Sequence, residues 1–103
     1  MDIYATAVRR FMLMRYEEGG EPIDSKTLHV KHVDSWRKYR LYDTWIDGRD
    51  VDPANPPVYI LVDGDCNVRW MTKEEAVAYK NDTDLSLKKA VMWMEHQMRN
   101  EQN

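Results

Sequence analysis

The residues best placed to do chemistry in this chain fall short of every reactive pattern they resemble. His29-x-x-His32, with His96 far along the chain, is the nearest approach to a metal set. Residues three apart on a strand point to opposite faces, so this spacing serves one ion only on a helix, and solvent-facing histidines are the expectation. Asp63-x-Asp65-x-Asn67 followed by Glu74 repeats the spacing of a calcium loop. Val68 stands where that loop requires Gly, and the flanking residues read as strand, turn, strand, so an Asp-rich hairpin accounts for the same letters. Ser25, Ser35 and Ser86 lie outside any Gly-x-Ser-x-Gly elbow, and no phosphate loop, dinucleotide fingerprint or His-Glu-x-x-His is present. Cys66 has no basic residue at fixed spacing to activate it. The expectation is a protein without catalytic residues, metal or cofactor.

Two binding patterns remain. The segment 26–42 interleaves Lys31, Arg37, Lys38 and Arg40 with Trp36, Tyr39 and Tyr42. Cations neutralise phosphates and rings stack on bases, so the mixture suits single-stranded nucleic acid. The last helix carries Met92, Trp93 and Met98 besides the stripe Leu87, Ala90, Val91, Met94. That is more apolar surface than one packed face needs, and Met and Trp are suited to an adaptable protein contact. Leu13 and Tyr16 of the first helix could extend the patch.

The elements that must position these residues follow from periodicity. Asp2 caps a helix through Tyr4, Ala7, Val8, Phe11 and Met14, ended by Gly19-Gly20 and Pro22. Residues 27–33 read as a strand, with Leu28 and Val30 on one face and His29 and Lys31 on the other. From Ser35 a helix and a strand compete. Aromatic enrichment favours the strand over 39–46, and Asp47-Gly48 signals a turn into 49–51. Pro53, Pro56 and Pro57 stiffen a loop. Val58–Val62 and Asn67–Met71 flank an Asp63-Gly64-Asp65 turn, so a hairpin spans about 57–71. Thr72-Lys-Glu-Glu75 is a capping box for a short helix ending at Asn81. Asp82-Thr83-Asp84 opens the last helix, which should fray over 100–103.

Strands gathered between terminal helices give an α+β fold. The sequence predicts one domain over 1–103, a small antiparallel sheet from the hairpin and strands within 27–51, packed on one face against the N-terminal and C-terminal helices. At 103 residues there is no room for a second domain, and 43% hydrophobic content suffices for a core. The net charge of −3 argues against a generic nucleic-acid coat. By segment the charge is +2 over 1–40, −6 over 41–84 and +1 thereafter. No apolar run nears the roughly 18 residues of a membrane span, and one cysteine excludes an internal disulfide. A cytoplasmic protein without membrane association is the expectation.

The first functional expectation is a small non-enzymatic regulator, adaptor or inhibitor in type, binding a protein through Leu13, Met92, Trp93 and Met98, with the acidic loops steering it to a basic surface. Compact cofactor-free chains of this type include phage- and plasmid-encoded modulators of a host enzyme or nucleoprotein complex. The alternative is a nucleic-acid-binding module using Lys31, Trp36, Arg37, Lys38, Tyr39 and Arg40. A homodimer is the third possibility.

Overall fold

A computed structural model of the chain describes residues 2–20, 23–47, 59–82 and 86–102. Helix α1 (Ile3–Glu18) starts at the expected cap, where Asp2 Oδ1 accepts hydrogen bonds from the amides of Tyr4 (3.0 Å) and Ala5 (3.1 Å). It ends as Gly19 donates back to the Arg15 carbonyl and Gly20 takes φ +76°, a left-handed conformation that costs glycine little. The buried ridge is Val8, Met12 and Tyr16. Of the expected stripe, Val8 lies in the core and Tyr4 and Phe11 pack against it, whereas Met14 is 53% exposed. Apolar residues occupy much of the circumference, so a rotation of roughly one residue step, about 100°, brings either ridge inward. The sheet selects the ridge that buries Met12 and Tyr16.

Strands β1 (Leu28–Trp36) and β2 (Tyr39–Ile46) form a hairpin closed by Arg37 and Lys38. Aromatic and β-branched content thus prevails over the helical pattern from Ser35 onward. The register runs from Leu28↔Ile46 to Trp36↔Tyr39, with an irregularity between His32 and Asp34 that leaves Val33 unpaired. Strands β3 (Ile60–Val62) and β4 (Val68–Trp70) form the second hairpin, and the sheet is an antiparallel meander in the order β1-β2-β3-β4. The turn expected at Asp47-Gly48, with 49–51 and the prolines beyond it, lies outside the described residues.

Helix α2 (Lys73–Asn81) begins at the capping box: Glu75 N–H donates to Thr72 Oγ1 (3.1 Å), and Thr72 N–H donates to Glu75 Oε1 (3.0 Å). Helix α3 (Ser86–Gln102) completes the α+β fold. Of the cap expected in Asp82-Thr83-Asp84, Asp82 is the C-cap of α2, and 83–84 lie outside the described residues.

The layering differs from the expectation of both terminal helices on one face. Leu28, Tyr42, Ile46, Ile60 and Val62 share a core with α1, whereas Leu41 and Leu61 share one with Met71, Ala76, Leu87, Ala90 and Val91. Neighbouring strand residues point to opposite faces, so α1 covers one face and the α2–α3 pair the other. Apolar residues at both parities of β3, Ile60-Leu61-Val62, require cover on both sides. The second layer does not reach the far end of β1 and β2, where Lys31, Asp43 and Trp45 are exposed.

Polar ties help to secure both layers. On the α1 side, the buried Tyr42 hydroxyl donates to Asp2 Oδ2 at 2.8 Å. Burial tends to raise the Asp2 pKa, but bonds from Tyr42 and from the amides of Ala5 and Tyr4 outweigh it and hold the carboxyl below its usual range. On the other side, Arg69 of β4 grips Glu75 of α2 through Nη1–Oε1 (2.7 Å) and Nη2–Oε2 (2.6 Å). Glu75 is 1% exposed. Burial pushes its pKa up, and the Arg69 bonds and the Thr72 amide bring it below the ordinary value.

Candidate functional site

Nine residues of α2 cannot bury the whole apolar run Ala76-Val77-Ala78-Tyr79. Ala76 faces the core, Tyr79 lies edge-on to Tyr59, and Val77 is left 49% exposed. On α3, Leu87, Ala90 and Val91 face inward, which turns Met92 out to 52% exposure and sets Trp93 half-buried beside it. The two helices pack side by side, and the seam between their outer faces is an open groove of about 650 Å³. Ala78 and Asn81 of α2, Asp82 beyond it, and Lys88, Lys89, Met92, Trp93 and His96 of α3 line this groove. A hollow of about 490 Å³ continues it past Ala78 and Trp93 to Lys73, Glu74 and Val77.

The structure therefore brings Met92 and Trp93 together and separates them from the other two residues of the expected patch. Leu13 is half-buried against the α1 core, on the opposite side of the sheet, and Tyr16 is buried. Met98 follows the inward stripe of α3 past the sheet, and with Met94, Tyr39 and Arg69 it lines a separate cavity of about 260 Å³. Val77 and Ala78 complete the groove and were not singled out from sequence. Their signal is four consecutive apolar residues on a helix with one core-facing side.

The lining charge also differs from the expected acidic steering. Lys73, Lys88 and Lys89 border the groove and hollow against Glu74 and Asp82. The Asp63 and Asp65 carboxylates lie elsewhere, in the β3–β4 turn. Asp63 is engaged there, accepting from Asp65 N–H (2.8 Å), Asn67 N–H (3.1 Å) and Asn67 Nδ2 (3.1 Å). Burial tends to raise the Asp63 pKa, but these bonds prevail and lower it, with help from Lys38.

The basic aromatic segment is divided by strand geometry. Arg37 and Lys38 are exposed at the hairpin tip, with the Arg37 guanidinium 4.6 Å from the Trp36 ring centroid and the Lys38 ammonium 5.6 Å from that of Tyr39. Trp36 and Tyr39 stack 6.4 Å apart and pack on the core beneath α3. Arg40 turns to the other face, 5.2 Å from the Tyr4 ring, and its Nη1 donates to the Arg37 and Tyr39 carbonyls. Lys31 sits far down β1 opposite Asp43. A Cβ on Gly64 would stand 2.9 Å from Lys38 Cβ, so the basic tip abuts the acidic turn. Arg37 has φ +53°, an unfavourable value for a residue with a side chain.

The histidines are dispersed as strand geometry requires. His29 meets Asp47 at 3.0 Å and stacks on Trp45, His32 lies edge-on to Tyr42, and His96 contacts Asn100 on α3. Among the described residues no group of three or more His, Cys, Asp or Glu could hold a metal ion, and no helix is long and apolar enough to cross a membrane. What the groove and hollow offer is apolar surface bordered, among the described residues, by the ammonium groups of Lys73, Lys88 and Lys89 and the carboxylates of Glu74 and Asp82. Comparison with protein-family models, with curated proteins and with solved structures finds no match.

Proposed function

We propose that the chain is a non-enzymatic protein-binding module of adaptor or inhibitor type, and that its recognition surface is the outer seam of α2 and α3. The observation that carries this reading is the seam itself. Val77 and Met92 are about half exposed on either side of a half-buried Trp93, and the groove and its continuing hollow together run along both helices. An aromatic anchor flanked by adaptable apolar side chains is the usual make-up of an interface hot spot. Grooves between helices take amphipathic segments of partner proteins.

The test is recovery of partners on the tagged full chain from lysate of the source cell, with and without nuclease, compared with two variants. A stoichiometric protein that survives nuclease, is lost with Met92→Asp and persists with the double variant Arg37→Ala/Lys38→Ala is the expected result. Recovery abolished by nuclease and by the double variant would move the site to the hairpin tip and make nucleic acid the ligand. Self-association removed by Met92→Asp, read as mass in solution, would make the seam a homodimer interface.

A further inference from the structure

We infer that the segment docking in the α2–α3 seam is an acidic amphipathic helix, which names the partner chemistry of the site proposed above and rests on that reading. The seam is a valley between two packed helices, the shape that accepts a third helix alongside them. Its floor, formed by Ala78 and Trp93 with Val77 and Met92 at the sides, calls for apolar side chains on one face of the occupant. Its rim selects the flanking charge. Lys88 and Lys89 stand together on the α3 side of the larger groove, and Lys73 borders the hollow on α2.

Among the described residues, three of the five formally charged side chains lining the groove and hollow are cationic, on a chain whose net charge is −3. Asp82, at the C-terminal end of α2, lines the same groove as Lys88 and Lys89 and offsets one of their charges, leaving that groove net positive among the described residues, whereas Glu74 in the first turn of α2 borders only the hollow. An occupant with carboxylates flanking its apolar stripe would place them against the α3 rim. A basic occupant would meet two adjacent ammonium groups, and like charges so juxtaposed reject a partner.

Two synthetic peptides of about 18 residues, long enough to form a helix on binding, carry the same leucine stripe and differ only in Glu or Lys at the flanking positions. Each is titrated into the isotope-labelled full chain, and amide and indole shifts are followed by NMR. The Glu peptide should shift Ala78, Asn81, Lys88, Lys89, Met92 and Trp93, and should bind at least about fivefold more tightly than the Lys peptide, the scale expected of two or three exposed ion pairs. That preference should shrink as salt is raised and reverse in the double variant Lys88→Glu/Lys89→Glu, which alters charges at the rim, one half-buried and one exposed, without touching the buried core.

Equal or tighter binding of the Lys peptide at the same residues would overturn the acidic partner and leave the docking seam standing. Shifts from both peptides confined to other surfaces, or none at the seam from either, would overturn both.

Discussion

Across the sheet from each other, α1 and the α2–α3 pair meet the strands in different ways. Helix α1 lies alone on its face, buries one ridge, and is held at its start by a single carboxylate that caps the helix and receives the Tyr42 hydroxyl. The opposite layer contains two helices, tied down by a doubly bonded ion pair whose carboxylate is buried and whose guanidinium is partly exposed. A lone helix presents one convex outer surface. A pair also presents the seam between its members, and the surplus apolar residues of this chain collect there. The proposed recognition surface therefore falls on the layer with more helices, although both layers carry more apolar residues than they bury.

The largest test of this contrast is Leu41→Ala, which empties a fully buried site beneath α2 and α3. It should cost about 3 kcal/mol, measured by urea unfolding, with circular dichroism and tryptophan fluorescence lost together. Separate transitions would break the picture of two layers sharing one sheet. Arg69→Ala should cost nearly as much, about 3 kcal/mol, because it strands the buried Glu75 carboxylate. Glu75→Gln should cost less, since Arg69 is 40% exposed and can be solvated.

The same pair contributes to the acid response. Glu75, Asp2 and Asp63 titrate below their ordinary values in the folded chain. The unfolded chain therefore takes up protons first, and their contribution, full above the ordinary carboxylate range, is lost as pH falls through the lowered pKa values. Glu75→Gln should flatten the acid limb of a plot of urea midpoint against pH. An unchanged limb would remove the pair from that role.

Asp2→Ala should cost about 1–2 kcal/mol, combining a lost cap with an unmet Tyr42 hydroxyl, and Asp2→Asn should restore part of the cap. Met92→Asp should change stability by no more than about 0.5 kcal/mol, so that any loss of binding reports on the seam alone.

Much of this was legible in the residues themselves. Asp2, the Thr72–Glu75 capping box and the Asp63 turn are local devices that name their own partners, and the structure realises all three. Face assignment was harder, because it depends on which element arrives from outside the segment. Tyr4-Ala7-Val8-Phe11-Met14 is as good a helical stripe as the ridge that packs. Nothing local indicates that α1 and α3 take opposite faces, although the unbroken apolar run at Ile60-Leu61-Val62 carries that information in retrospect. Met92 and Trp93 were identifiable because they fall off the α3 stripe. The sequence pattern groups Leu13 with them although its helix lies across the sheet, and it gives Val77 no prominence because a short helix hides its surplus. The basic segment lost its unity for a related reason: Arg37 and Lys38 form the turn, so Arg40 and Lys31 fall on other parts of the sheet.

The irregularity at Val33 also bears on how the protein behaves in concentrated solution. At nine residues β1 is the longest strand among the described residues and an edge of the sheet, the kind of border on which identical chains can stack into fibrils. Three features make it a poor template. Arg9 Nη1 donates to the carbonyls of Ser25 and Leu28 where the strand begins, Lys31 places an exposed cation along it, and the unpaired Val33 interrupts its regular spacing. At the other border β4 is only three residues long. A chain with an apolar seam open on its helical side thus keeps its strand borders inhospitable to further strands, which favours reversible side-chain docking over irreversible growth of the sheet.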